Sequence, residues 1–303
     1  MLHLGLPHPP RHPAQTNVLS MNRRFSEIKN DQLGICSIIR NREQWIEEWI
    51  SFHHLVGFTH FYIGLHQCSD KTEEVLIDLS KKYKIKIFHV ENKVGGSPQT
   101  FFYNFIQNEV AFEVDWMAFI DSDEYLFSPE RTKIGQVLDS FLQKKVYALA
   151  IHWACFGSSN FVKEPSGLIT ENYRRRAPDD FFVNKHVKSI VYQRVAGVIK
   201  FSNPHLVTVD YEVYDEKLRS ISTPISPYEP SFSRLRINHY LCQSREYFST
   251  RKKYYGSADS DQETNVKSEE WWITHNQNNV LDYSVELYVQ PIKSLMNVSQ
   301  AEK

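Results

Sequence analysis

The sequence predicts an α/β fold: a mixed, mainly parallel, twisted sheet flanked by helices. Strand-like and helix-like segments alternate from Leu33 to Ile120, the pattern of parallel strands joined by right-handed crossovers. The last run of that series, Trp116 to Ile120, has the length and residue types of a strand buried on both faces. It ends abruptly in carboxylates at Asp121, Asp123 and Glu124, and the C-terminal edge of such a sheet is where α/β proteins bind ligands.

The elements follow in order. Residues 1–30 hold four prolines, three histidines and little periodicity, so they read as a disordered extension, with Met21 an alternative start. Residues 31–296 read as one domain and 297–303 as a tail. Leu33 to Arg40 is a first strand. Glu43 to Leu55 carries Trp45, Ile46, Trp49, Ile50 and His53 at helical spacing, and Gly57 closes that helix. His60 to Leu65 is a second strand, and Asp70 with Glu73 has the spacing of a capping box for a helix reaching Tyr83. Ile85 to Val90 is a third strand. Ser97-Pro98 opens a helix to about Glu113, since proline suits a first turn.

In an extended chain residues i and i+2 point the same way, so Asp121 and Asp123 turn toward one point and Ser122 away. Two convergent carboxylates suit Mg²⁺ or Mn²⁺, whose remaining ligands are water and substrate phosphate oxygens. The alternative is a solvated turn, where Asp and Ser are common.

Beyond the acidic cluster the sequence predicts a helix at Ile134 to Gln143 and a strand at Val146 to Trp153. The small-residue loop F-G-S-S-N follows at Phe156 to Asn160, then Arg174, Arg175 and Arg176, then N-K-H-V-K-S-I-V at Asn184 to Val191. Small residues let a backbone approach a ligand, and cations neutralise a diphosphate. A hairpin turn, a solvated charge run and an edge strand are the plainer readings. Lys188 lies inside a strand-like segment. L-R-I-N-H-Y at Leu235 to Tyr240 places His239 at the end of an apolar strand, either as a core histidine or as a metal ligand. A helix follows from about Ser244 to Tyr255. Trp271-Trp272 is either a sugar-stacking platform or packing, and Asp282 to Leu295 is a short strand or helix.

Composition excludes several classes. A net charge of −1 argues against a general nucleic-acid binder. Cys36, Cys68, Cys155 and Cys242 form no C-x-x-C pair, which argues against a zinc site or disulfide framework and fits a reducing compartment. No run reaches the length of a membrane span and no signal-peptide core is evident, so the expectation is a cytoplasmic protein with at most peripheral membrane contact.

As a set, the motifs resemble a known family. R-N-x-x-x-W-I-x-E-W-I-x-F-H at Arg40 to His53, D-S-D-E-Y-L at Asp121 to Leu126, F-G-S-S-N, H-V-K-S-I-V and I-N-H-Y look like the glycosyltransferase family 2-like and family 92 proteins, in order over about residues 33 to 256. The resemblance implies a GT-A, Rossmann-like fold with a nucleotide-sugar half at 31–127 and an acceptor half at 128–296. It also implies a nucleotide-sugar donor, with a UDP-sugar as first expectation, a carbohydrate or lipid-linked acceptor, and Mn²⁺ or Mg²⁺. Carried over by position, Asp121, Asp123 and His239 would hold the metal, and Arg40, Asp70, Asp121, Gly157, Ser158 and Lys188 would meet the donor. Two stretches depart from the pattern. Arg42 replaces the glutamate of K-N-E after the first strand, and L-H-Q-C-S-D replaces D-N-x-S-x-D after the second, leaving Asp70.

The implied reaction is sugar transfer, inverting by the same resemblance. An inverting enzyme needs a base for the acceptor hydroxyl, and Glu171, Asp179 and Asp180 are the candidates. Two other readings stand beside it: a sugar- or nucleotide-binding protein without turnover, which the departures permit, and a phosphohydrolase, against which Tyr125 occupies the position of Thr or Val in D-x-D-x-T/V.

Overall fold

A computed structural model describes residues 32–91, 96–110, 112–254 and 266–301, the last five by backbone alone. The readings of residues 1–30 and 302–303 fall outside them. The first half alternates as expected: β1 (Leu33–Ile39), α1 (Ile46–Val56), β2 (His60–Leu65), α2 (Thr72–Leu79), β3 (Lys84–His89), α3 (Pro98–Glu109) and β4 (Trp116–Phe119). Then come β5 (Glu124–Phe127), α4 (Ile134–Leu142), β6 (Ala148–Cys155), α5 (Ile169–Asn172), β7 (Arg175–Arg176), β8 (Val187–Tyr192), β9 (Ile199–Phe201) and β10 (Val207–Val209). The chain continues through β11 (Arg236–His239), α6 (Arg245–Tyr247), a π-helical turn at Phe248–Lys252, α7 (Glu269–His275), β12 (Val280–Leu281) and α8 (Glu286–Ala301).

Eight strands form one sheet in the order β3-β2-β1-β4-β8-β6-β11-β5. The pairings β3·β2, β2·β1, β1·β4 and β6·β11 are parallel, while β8 and β5 run antiparallel to their neighbours. The mixed, mainly parallel sheet flanked by helices is therefore the observed fold. Alternation along β4 explains its packing: Trp116, Ala118 and Ile120 join the core on one face, Met117 and Phe119 that on the other. β3 is the exposed edge, and its Lys84, Lys86 and His89 suit an edge that must not recruit another strand.

β4 and β5 lie four places apart in the sheet, yet only residues 120–123 separate them. A flat sheet would need about 19 Å for four strand spacings, more than this turned segment reaches, so the sheet curls around the acidic turn. Helix α1 fixes the curl. Trp49 Nε1 donates to the Glu124 carbonyl (2.8 Å), and His53 Nε2 accepts from Leu126 N–H (3.1 Å). Burial pushes the His53 imidazole down to about 3, so it is neutral; its Nδ1 is the donor, to the Trp49 carbonyl (2.8 Å), which leaves Nε2 the acceptor.

Local signals held at some ends and failed at others. Gly57 closes α1 at φ 121°, and Ser97 caps α3 by accepting from Thr100 N–H. The Asp70–Glu73 box does not close: Asp70 accepts from Thr72 and Glu43 N–H, while Glu73 pairs with His89 at 3.1 Å. The helix expected over 244–255 is a short α-turn followed by a π-turn. The stretch after Asp282 is a helix that continues to Ala301, into the residues read as a tail.

Candidate active site

The C-terminal ends of β1, β2, β4, β6 and β11, with the N-terminal end of antiparallel β8, open on a cavity of about 590 Å³. Of the eleven residues given metal, donor or catalytic roles from the sequence, six line it: Arg40, Asp70, Asp121, Asp123, Lys188 and His239. The five others do not. Gly157 packs against the Gln277 carbonyl and Asn278, and Ser158 N–H donates to Asn276 Oδ1. Glu171 pairs with Lys293 at 2.7 Å, Asp179 with Arg176 at 2.6 Å, and Asp180 is exposed. The arginine run is structural: Arg174 pairs with Glu286, and Arg176 with Asp282.

The acidic turn is held from all sides. Asp121 Oδ1 accepts from Lys188 Nζ (2.9 Å) and Gln99 Nε2 (2.6 Å), and Asp121 N–H donates to Glu124 Oε2 (3.0 Å). Arg42 donates to the Ser122 carbonyl (2.9 Å) and to Tyr247 Oη (3.0 Å). Asp123 Oδ2 accepts from Lys252 Nζ at 2.8 Å. Burial alone would raise both aspartates, but Lys188 holds Asp121 below its usual value, and Lys252 with His239 holds Asp123 well below. Glu124 is fully buried, and desolvation, only partly offset by Lys188, raises it well above the carboxylate range. Both aspartates are thus charged, and each is already matched by an ammonium.

Cations outnumber the remaining acids. Arg40, Arg42, Lys188, Arg251, Lys252 and Lys267 face Asp70, Asp121 and Asp123. Lys267 registers the excess: burial, then Lys252, bring its ammonium down to about 8. Four histidines add neutral donors and acceptors. Trp153 stacks on His186 (5.0 Å) and meets His205 (5.3 Å) and His239 (4.2 Å) edge to face. Burial lowers the pKa of all three, and that of His275. Nδ1 of His186 lies 3.0 Å from the Val183 carbonyl and Nδ1 of His205 lies 3.3 Å from that of Val187. Those contacts assign the proton to Nδ1 and leave Nε2 a lone pair. Trp271 lines the cavity, parallel to His275 at 4.2 Å, while Trp272 packs in the core.

A divalent cation on Asp121, Asp123 and His239 is the expectation for the acidic turn, and Asp121 Oδ1 is taken by Lys188 and Gln99. Among the described residues no three His, Cys, Asp or Glu side chains converge closely enough to hold one unaided. Asp123 and His239 nonetheless fit as a partial set. Asp123 Oδ1 and His239 Nε2 lie 3.6 Å apart, beyond hydrogen-bond reach, and buried His239 Nδ1 has no partner among the described residues. Small dications take one or two carboxylates and complete their shell with substrate phosphates.

The sequence reading missed Arg42, Gln99, Lys252, Lys267, His186 and His205. Arg42 was legible as a departure and His186 as the first residue of H-V-K-S-I-V; the rest carried no signal.

Fold and site together define an α/β protein with a basic pocket over the C-terminal ends of its parallel strands. The chain belongs to glycosyltransferase family 92, whose sequence model matches residues 32–301. A glycosyltransferase family 92 protein of Oryza sativa subsp. japonica is 26% identical over 268 residues, spanning 84% of this chain and 41% of the relative. One of Ricinus communis is 25% identical over 151 residues, spanning 49% and 27%. The chain therefore covers less than half the length of these relatives. Among solved structures, Staphylococcus aureus TarS 1–349 shares 17% identity over 54% of this chain and 47% of its own, with a TM-score of 0.35. Glucosyl-3-phosphoglycerate synthase from Mycobacterium tuberculosis, solved with Mn²⁺, UDP and phosphoglyceric acid, shares 15% over 41% and 43%, with a TM-score of 0.29. No described helix is long and apolar enough to cross a membrane.

Proposed function

We propose that this chain transfers a sugar from a nucleotide-sugar donor, a UDP-sugar first among them, to a hydroxyl of a glycan or lipid-linked acceptor. The observation that carries the reading is the excess of cations at the strand ends, where six cationic side chains, Arg42 and Lys188 among them buried, meet three carboxylates. A pocket so charged is complete only with an anion, and a diphosphate supplies it.

In this reading Lys188, only 1% exposed, is a fixed charge for the diphosphate as it departs. Preorganised charges of this kind stabilise a leaving group without reorganisation at the moment of reaction. Arg42 keeps the acidic turn in place through Ser122 and Tyr247. Asp123 and His239 would hold Mn²⁺ or Mg²⁺, which supplies Lewis-acid stabilisation of the diphosphate when bound. Glu171, Asp179 and Asp180 lie outside the pocket, so the acceptor proton falls to the neutral imidazole of His186 through its Nε2 lone pair, since burial and Lys188 bring His205 down to about 3, too weak a base. A base on the acceptor side is what inversion requires.

One observation favours a second reading, a nucleotide-sugar-binding protein without turnover: each pocket carboxylate among the described residues is already engaged as an acceptor. A thermal-shift series with UDP and UDP-sugars, with and without Mn²⁺, followed by assay of UDP release, separates the two. Stabilisation with release supports transfer, and stabilisation without release supports binding alone. A melting temperature that no nucleoside diphosphate moves overturns both, because a ligand that binds only the folded state must raise stability.

A further inference from the structure

Resting on that donor reading, we propose that Lys252 stands in for the divalent cation in the donor-free pocket, so that metal occupies Asp123 and His239 only together with the nucleotide diphosphate.

The geometry is that of a half-built cation site with a side chain in it. Asp123 presents its two oxygens to different partners, Oδ2 to Lys252 Nζ at 2.8 Å and Oδ1 toward His239 Nε2 at 3.6 Å. Two ligand atoms each about 2.1 Å from one ion stand roughly 3 Å or more apart, so the Asp123–His239 gap suits a shared ion better than a hydrogen bond. His239 is 3% exposed, its Nδ1 makes no hydrogen bond among the described residues, and its ring is wedged edge-on against Trp153.

Lys252 is placed to leave. It ends the π-helical turn Phe248–Lys252, a rare geometry found mostly at functional sites. Its neighbour Arg251 anchors that turn by donating to the Asn41 carbonyl at 3.1 Å, so Lys252 can exchange one anion for another without the turn moving. Arg42 and Lys267 also face this acid. A bare dication would have to enter among these cations with only Asp123 and His239 as protein ligands, which like-charge repulsion opposes. A diphosphate reverses the balance: its oxygens complete the ion's shell and accept the Lys252 ammonium as it leaves Oδ2. Metal and nucleotide then bind with positive coupling, and the coupling is reciprocal.

The test is Mn²⁺ binding to the full chain, read from loss of the free-ion electron paramagnetic resonance signal, with and without UDP. In the unmodified protein UDP should tighten Mn²⁺ by about tenfold or more. Lys252→Gln should bind Mn²⁺ without UDP about tenfold more tightly than the unmodified protein, with the UDP effect largely gone. Lys252→Arg, which keeps the cation, should behave as the unmodified protein, and adding Asp123→Asn should erase the gain. Unchanged Mn²⁺ affinity in a folded Lys252→Gln variant overturns the proposal. UDP that raises the melting temperature without altering Mn²⁺ affinity overturns it while leaving the donor reading intact; UDP that does neither removes both.

Discussion

Lys188 Nζ lies 2.9 Å from Asp121 Oδ1 and 3.8 Å from Glu124 Oε1, at a point where the Phe119↔Ser189 register of antiparallel β4 and β8 leaves both side chains at the sheet edge. A lysine buried to 1% exposure survives there because acids of the turn surround it. Lys188→Met keeps the aliphatic stem and deletes the charge. Loss of one preorganised charge at a leaving group costs about 10²–10³ in turnover, so the expected result is a fall of that order in kcat, measured by UDP release. A variant that folds and turns over normally would remove Lys188 from the diphosphate.

Gly157 separates a packing role from a sugar-binding one. A methyl group at this position would lie against the Gln277 carbonyl oxygen and within 2.6 Å of Asn278 Oδ1, which is held in place by accepting from Ser159 N–H at 2.7 Å. Gly157→Ala should therefore destabilise by about 1–3 kcal/mol through overpacking, seen as a lower urea midpoint, with UDP affinity unchanged. Weaker UDP binding at full stability would restore Gly157 to the donor site.

Much of this arrangement was legible because it follows from local pattern. Alternating apolar segments announced the parallel half of the sheet, the rule that ligands gather at strand ends placed Asp121 and Asp123 at its edge, and the family resemblance added Lys188 and His239. Long-range partners were not legible. Arg251-Lys252-Lys253 has the look of a solvated charge run, and only the π-turn aims Lys252 at an acid 129 residues away. Glu171, Asp179 and Asp180 follow the small-residue loop in sequence, but each lies outside the cavity. No periodicity announces such pairings, since they depend on where β7, β12 and α8 come to rest.

Asp282 shows how those late elements are fastened. Its Oδ2 accepts from Arg176 Nε and Arg236 Nη2, both at 2.7 Å, and all three side chains are nearly buried. Burial would raise this carboxyl, but Arg236 leads the interactions that depress it well below its ordinary value. For a depressed acid the stabilisation is present above the unfolded-state pKa and is lost as pH falls through the folded one. Asp282→Ala should cost about 3–5 kcal/mol at pH 7, because the buried Arg236 guanidinium loses its counter-ion and Arg176 is left with the exposed Asp179 alone. The gap from the unmodified protein in denaturant melts should hold from pH 7 to about 5 and narrow below about 4. A gap independent of pH would mean that packing, not charge, ties β12 to β7.

Glu48 carries the opposite sign. From α1 it accepts Ile169 N–H at 2.7 Å through Oε2, and Thr170 N–H and Oγ1–H at 2.9 and 2.8 Å through Oε1, fastening α5 to the core. Those donors favour the carboxylate, yet desolvation outweighs them and pushes the group up to about 7. An acid raised on folding contributes stability that is full below its unfolded pKa and disappears as pH climbs through the folded one. Between about pH 4.5 and 7 the unmodified protein should therefore lose stability relative to Glu48→Gln, which has no proton to release. The amide turns an NH₂ toward a backbone N–H, so Glu48→Gln should be less stable by about 1–3 kcal/mol at pH 5. Urea melts at pH 5 and pH 7.5 should show that deficit shrinking at the higher pH. A deficit that grows instead would mean that the three donors outweigh burial, and that Glu48 is ionised throughout.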